Sequence, residues 1–326
     1  MTTVSSNILA VDIGGTHFRV GIFNHEGRLL EVTKSATSHQ GGREWMLAQL
    51  HQHAAKLLDA SPETVKACGI SFGGPVDYAS QRVTSVHTPG WRNFPLASWV
   101  KDTFCIPALL DNDANAGALG EFHFGAGRGV NSLIYITLST GIGSGLVIHG
   151  KVFRGRDSMA GEIGHLPLSD LPIPCTCGGS GCLEALSSGR SIARSARELA
   201  ASDPQAARRL MELSGGNAEN LTARLVFDAA AQGDPAANRL LRDAIYWLAR
   251  ALTIAIRLIN PDKIILGGGV AQAGDRLLIP LRELMAQWKS GNFPYTTEIS
   301  TAALSNDSPL YGAAALGREF LDSMGR

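Results

Sequence analysis

Residues 7–23 read Asn-Ile-Leu-Ala-Val-Asp-Ile-Gly-Gly-Thr-His-Phe-Arg-Val-Gly-Ile-Phe. An apolar run containing Asp12 leads into Gly14-Gly15-Thr16, and alternation resumes through Phe18, Val20 and Ile22. This is strand, tight glycine turn, strand. Backbone amides in such a turn point outward together and can bind phosphate oxygens, the Thr16 hydroxyl adds a donor, and Asp12 can hold Mg²⁺ through water. A Gly-Gly hairpin on its own is usually only a hairpin, and no Gly-x-x-x-x-Gly-Lys-Ser/Thr occurs in the chain, so this is not a Walker loop. The pattern returns, however. Residues 132–138 form an apolar run that enters Ser139-Thr140-Gly141-Ile142-Gly143-Ser144-Gly145 and leaves as Leu146-Val147-Ile148. Strand, glycine-threonine turn and strand at 8–23 and again at 133–148 predict a duplicated α/β fold with a phosphate-binding turn in each half.

Between the two turns the spacing predicts a strand over 29–34, an amphipathic helix over 44–58, a buried strand over 65–72, a short helix over 96–104 and a strand over 107–110. The 65–72 strand runs into Gly73-Gly74-Pro75, whose glycines let a ligand approach the backbone closely. The last strand opens through Asp111-Asn112-Asp113 onto a helix over 114–122, with polar residues where first-turn amides need acceptors. A strand-to-helix junction also holds a carboxylate rigidly, and phosphoryl transfer to an alcohol needs one base within reach of the hydroxyl. Beyond the second turn, helices are expected over 191–200, 221–232, 235–259, 276–288 and 310–321, with strands over 263–266 and 296–300. The 235–259 helix is apolar on nearly all faces, so Leu248, Leu252, Ile256 and Ile259 read as core. Gly267-Gly268-Gly269, at the end of a strand, would let a planar base lie against bare backbone.

Residues 161–184 pack three of the five cysteines beside a histidine. His165, Cys175, Cys177 and Cys182 make a His-Cys₃ set that closes a tetrahedral Zn²⁺ with no position open for water, which makes the metal structural. Gly178, Gly179 and Gly181 permit the backbone angles that a loop around an ion requires. Glu162 and Glu184 frame this loop, which would hold both carboxylates rigidly toward a polyhydroxylated ligand. Cys68 and Cys105 lie in apolar segments and read as buried small side chains.

The 326 residues carry 29 Lys plus Arg against 29 Asp plus Glu, so no basic field points to nucleic acid or an anionic membrane surface. No apolar stretch approaches the ~20 residues of a membrane helix, and the N-terminus has no basic region before an apolar run. A cytoplasmic protein is expected, and free-thiol zinc ligands suit that reducing compartment.

Gly161-Glu162-x-Gly164-His165 followed by Cys175-x-Cys177-Gly178-x-x-Gly181-Cys182-x-Glu184 resembles the signature of the ROK family, which contains bacterial sugar kinases and sugar-responsive repressors. Five separated motifs agree with it in order and spacing over residues 7–321. The resemblance implies a two-domain α/β fold of the actin-like (ribonuclease-H-like) sugar kinases, with a cleft between the domains. The smaller domain would comprise 1–118 plus 303–326 and the larger 119–302, because the closing helix of the family crosses back. It also implies ATP-dependent phosphorylation of a primary sugar hydroxyl, O6 of a hexose such as glucose or mannose, with Mg²⁺ accompanying ATP. Asp113 would be the general base, Asn112 a sugar contact and Asp111 the capping or structural carboxylate. Gly73 and Gly74 would border the sugar, and Glu162, His165 and Glu184 would hold its other hydroxyls. Gly14, Gly15, Thr16, Thr140 and Gly141 would face phosphates, Gly268 and Gly269 the adenosine. Relatives are usually homodimers. Three departures stand out: His87-Thr88-Pro89-Gly90-Trp91 is shorter than the family's Thr-Pro-Asn-Leu-Pro-Gly-Trp, Ser139 stands where Gly is commoner, and His17 where Lys or Asn is common. Two other readings are a transcription regulator, whose extra N-terminal winged helix-turn-helix finds no room before Gly14, and a silent sugar sensor, which need not keep Asp113 and both phosphate turns. Glucose, mannose, fructose, N-acetylated amino sugars and β-glucosides all suit such a site.

Overall fold

A computed structural model describes residues 6–38, 40–84, 90–289, 291 and 294–324. The chain divides into two compact units, one formed by residues 1–130, 145–160 and 307–326, the other by 131–144 and 161–306. These limits differ from the expected 1–118 plus 303–326 and 119–302. A cut at 118 would fall inside a helix that runs from Asp113 to Phe124 and packs along the C-terminal helix, and residues 145–160 return to the first unit.

The first unit holds β1 (Asn7–Ile13), β2 (His17–Phe23), β3 (Leu29–Ala36), α1 (Gly42–Ala60), β4 (Val65–Phe72), the small hairpin β5 (Val76–Asp77) and β6 (Arg82–Val83), α2 (Leu96–Phe104), β7 (Ala108–Asn112) and α3 (Asp113–Phe124). Its sheet has the order β3-β2-β1-β4-β7. β1 pairs antiparallel with β2 and parallel with β4. Every residue of β1 is buried, as expected of a strand covered on both faces. Leu9, Val11 and Ile13 pack with Met46, Leu50 and Leu57 of α1 and Leu96 of α2, while Ala10 on the opposite face meets Leu310, Ala313 and Ala314. Two residues per repeat sort the side chains to the two layers.

Beyond α3 come β8 (Leu133–Leu138), β9 (Ile142–Ile148), β10 (Lys151–Val152), α4 (Leu183–Ser187), α5 (Gly189–Ser202), α6 (Arg208–Leu213), α7 (Ala223–Ala231), α8 (Pro235–Ile259), β11 (Lys263–Gly267), α9 (Asp275–Gln287), β12 (Glu298–Thr301) and α10 (Ser308–Met324). The second sheet has the order β10-β9-β8-β11-β12. Strand for strand this repeats the first, a meander on one side and two parallel strands on the other. The duplication read from two glycine turns is thus a duplication of whole sheets. α8 starts at Asp234, whose carboxylate accepts from the Ala237 amide, has Pro235 in its first turn, and stops at Asn260 in the left-handed region (φ 49°) before Pro261, the preferred chemistry at both ends. Leu248, Leu252 and Ile256 are buried, whereas Ile259 is half-buried.

Glycine sets the approach of α10 to its neighbours. A Cβ on Gly312 would stand 1.6 Å from the Ala116 carbonyl oxygen of α3, and one on Gly69 of β4 would stand 1.8 Å from the Ala313 carbonyl oxygen. Both obstacles are backbone, which cannot turn aside. Gly312→Ala is therefore expected to destabilise the chain by about 3 kcal/mol, although Gly→Ala within an unobstructed helix stabilises by roughly 0.4–1 kcal/mol. Urea denaturation measures it, and an unchanged midpoint would contradict the packing described.

Candidate active site

The first glycine turn closes through a Gly14 N–H donated to the His17 carbonyl at 2.9 Å. The Gly15 and Thr16 amides meet no acceptor among the described residues, so these two remain to face an anion. Asp12 is buried at 4% exposure. Its Oδ2 accepts from Arg19 Nε at 3.0 Å and Nη2 at 2.5 Å, and Oδ1 accepts from Ser71 Oγ at 2.9 Å. Arg19 also pairs with Asp307. A carboxylate so engaged suits contact with a cation through water rather than direct ligation.

Three segments of the first unit converge beside this turn. A Cβ placed on Gly73 would lie 3.2 Å from the Ile13 carbonyl oxygen, 3.4 Å from Gly14 Cα and 3.7 Å from Asp113 Oδ2. The Gly73 amide donates to the Ile13 carbonyl at 2.8 Å. Glycine at this position thus lets the Asp113 carboxylate, the Gly73-Gly74 turn and the first glycine turn come together. Asn112, rather than Asp111, caps α3: its Oδ1 accepts from the Ala114 and Asn115 amides at 2.8 and 3.4 Å. Asn112 Nδ2 donates to the Gly74 carbonyl at 3.1 Å, leaving one of its hydrogens for a ligand. Asp111 is 3% exposed and is held by Arg154, by the Asn112 amide and by Asn115 Nδ2. Of the two roles expected of it, capping or structural, Asp111 has the second and Asn112 the first.

In the second unit, Ser139 N–H donates to the Gly141 carbonyl at 2.9 Å, while the Ser139 carbonyl accepts from the Gly189 amide at 2.8 Å. The Thr140 and Gly141 amides meet no acceptor among the described residues. Ser139 and Thr140 line a cavity of about 770 Å³ together with Arg190, Phe227, Gly269 and Val270. Of the glycine triple, Gly269 is the one that opens onto it, with nothing within 4 Å of a Cβ built there. Gly268 (φ 84°) instead presses on the end of β8, where a Cβ would stand 2.5 Å from the Leu138 carbonyl oxygen; it is not among the lining residues.

The ligating atoms of His165, Cys175, Cys177 and Cys182 lie within 4.8 Å of one another. Cys177 Sγ and Cys182 Sγ are 3.7 Å apart, and Cys175 Sγ lies 3.5 Å from His165 Nδ1. Zinc at ~2.3 Å from sulfur and ~2.0 Å from nitrogen demands tetrahedral edges of about 3.8 and 3.5 Å, so the donor set fits the ion in type and in spacing. His165 offers Nδ1 to this cluster and leaves Nε2 3.9 Å from Glu162 Oε2. Burial pushes the Glu162 carboxyl above its ordinary value, with the His165 ring opposing and the Glu184 carboxylate adding to the rise. Glu184 Oε1 accepts from Thr176 Oγ1, between two of the cysteines, at 2.5 Å, and Oε2 accepts from the Ile142 amide at 3.0 Å. Glu184 therefore ties the cysteine loop to the second glycine turn while keeping lone pairs for a ligand.

The sequence pattern missed Arg19, Arg154, Thr176 and the Arg190 and Phe227 lining. Their partners lie far away along the chain, and local spacing carries no sign of them. Cys105 corrects an expectation: it is exposed, because it caps α2 in the left-handed region (φ 57°) rather than joining the core. Residues 87–89 of the short loop lie outside the described residues.

The model of the ROK family matches residues 8–319. A glucokinase from Thermotoga maritima is 35% identical over 313 residues, 96% of this chain and 97% of its own. The structure of a ROK family glucokinase from Streptomyces griseus in complex with glucose and AMPPNP is 34% identical and superimposes with a TM-score of 0.83, covering 97% of this chain and 99% of that one. A xylose repressor from Caldicellulosiruptor bescii is 29% identical over 95% of this chain and 77% of its own length.

Proposed function

The chain belongs to the ROK family, with the actin-like fold of its glucokinases, and from that premise we propose that it is an ATP-dependent sugar kinase transferring the γ-phosphoryl group of ATP to a primary hydroxyl, O6 of a hexose such as glucose or mannose. The observation that carries the reading is the approach of Asp113 Oδ2 to the Gly73 and Gly14 turns. It is an acceptor beside a phosphate-binding turn, which in-line transfer to an alcohol requires.

Asp113 accepts the hydroxyl proton as the sugar oxygen attacks phosphorus. Asn112 donates its remaining N–H to a sugar oxygen, and the Gly73-Gly74 turn borders the ring. Glu162, the Nε2 edge of His165 and Glu184 hold other hydroxyls. The Gly15, Thr16, Thr140 and Gly141 amides take phosphate oxygens and are preorganised for the charge that spreads there, while Gly14 shapes the first turn. The adenosine lies in the 770 Å³ cavity along Gly269, whose course Gly268 sets. Asp12 is suited to hold through water a Mg²⁺ that would accompany ATP and would neutralise phosphate charge. His165, Cys175, Cys177 and Cys182 would hold a structural Zn²⁺ that closes the loop carrying Thr176.

A coupled ADP-release assay against a panel of hexoses, amino sugars and β-glucosides tests the reading. Turnover well above the sugar-free rate on one hexose is expected. Sugar binding without turnover on any of them would favour a sensor or regulator instead.

A further inference from the structure

We propose that Arg154 is a positioning residue for the Asn112–Asp113 junction, an inference that rests on the assignment of Asp113 as the base. Arg154 Nε and Nη2 both reach Asp111 Oδ2, at 2.8 and 2.6 Å. Its guanidinium lies 3.6 Å from the centroid of the Tyr78 ring. The other oxygen of the same carboxylate, Asp111 Oδ1, accepts from the Asn112 amide at 2.8 Å and from Asn115 Nδ2 at 2.9 Å. Asp111 is therefore a buried anion that fixes one backbone amide and one side chain flanking Asp113, and Arg154 is the cation paired with it.

Without that cation the carboxylate is left buried and uncompensated, a costly state that it escapes by taking up a proton or swinging toward water. Either escape weakens the acceptor that holds the Asn112 amide and Asn115. The surroundings of Arg154 add rigidity. Its own carbonyl closes a turn by accepting from the Ala160 amide at 3.0 Å, and Ser158 Oγ within that turn accepts from the Tyr78 amide at 3.2 Å. Gln81, three residues past Tyr78, fastens the outer edge of β7 by accepting from the Leu110 amide at 2.6 Å and donating to the Leu110 carbonyl at 3.3 Å. The strand end that presents Asp113 is thus held by a clamp of which the guanidinium is the charged centre. A lysine cannot replace it, because an ammonium neither spans two contacts in a plane nor stacks flat on Tyr78.

The test uses the full chain with Arg154→Met, Arg154→Lys and Arg154→Ala. In Arg154→Met, hydrogen exchange of the peptide over residues 110–116 is expected to accelerate, since the amides of Ala114 and Asn115 depend on the Asn112 cap. Its kcat on the best sugar is expected to fall about 10²-fold, the scale of a misplaced catalytic group, with KM for ATP unchanged. Arg154→Lys should fall between Met and the unmodified chain. Added guanidinium ion should raise kcat of Arg154→Ala, and ammonium should not. Unaltered exchange over 110–116 overturns the proposal without reference to turnover, so its failure is separable from that of the kinase reading, which the unmodified chain tests alone. Full kcat in Arg154→Met, or loss in Arg154→Ala that guanidinium leaves unrestored, overturns it as well.

Discussion

Replacing Asp113 with Asn is expected to lower kcat by about 10³-fold or more, within the range seen when a general base is removed, while ATP and hexose still bind. Asparagine keeps the size of the side chain and can still sit beside Gly73, where Asp113 Oδ2 lies 3.7 Å from a Cβ position. What it loses is the capacity to accept a proton. The cap of α3 belongs to Asn112 and the buried ion pair to Asp111 and Arg154, so neither is broken by the change. Stopped turnover with calorimetric affinities for sugar and nucleotide unchanged within a few-fold is the expected pair of results. A variant that keeps more than a few per cent of the rate would remove Asp113 from the chemistry.

Cys177→Ser is expected to abolish tight zinc binding and to lower activity by about 10–100-fold, the usual cost of disturbing the support of a metal loop. Thr176, held in place by the cysteines on either side, donates to Glu184 at 2.5 Å. Glu184 in turn takes the Ile142 amide at the end of the second glycine turn. Opening the loop therefore reaches both Glu184 and the turn, while the buried cores of the two units stay intact. Metal analysis and thiol titration check it. A chelator should expose Cys175, Cys177 and Cys182, adding to the exposed Cys105, whereas burial pushes the Cys68 thiol up and keeps it silent until the chain unfolds. Full activity and a full zinc complement in Cys177→Ser would contradict the assignment.

The duplication was legible because each half opens on the same local chemistry, an apolar strand, a glycine-threonine turn and a second strand, and these turns are determined by residues adjacent in the chain. The cysteine cluster was legible for the same reason, since three of its four ligands stand within eight positions. α8 was read to its exact ends because Asp234, Pro235 and Asn260 signal them locally. What escaped the sequence depends on distant partners. Asn112 reads as a sugar contact, yet its remaining hydrogen is known only once Gly74, 38 residues away, claims the other. Glu184 reads as a loop carboxylate until the Ile142 amide, 42 residues away, is found on it. Arg154, between Phe153 and Gly155, belongs to no motif, and its contacts with Tyr78 and Asp111 emerge only from the packing. The unit boundary at 130 rather than 118 has the same origin, because the whole length of α3 follows α10 from the opposite end of the chain.

The central claim is that phosphoryl transfer ends on a primary sugar hydroxyl, and identifying the product tests it most directly. Phosphorus-proton correlation spectra of the product formed from glucose or mannose with Mg-ATP are predicted to join a single phosphomonoester to the two methylene protons at C6, with ADP appearing in equal amount. Orthophosphate as the sole product, or a phosphate joined to the C1 proton, would contradict the account.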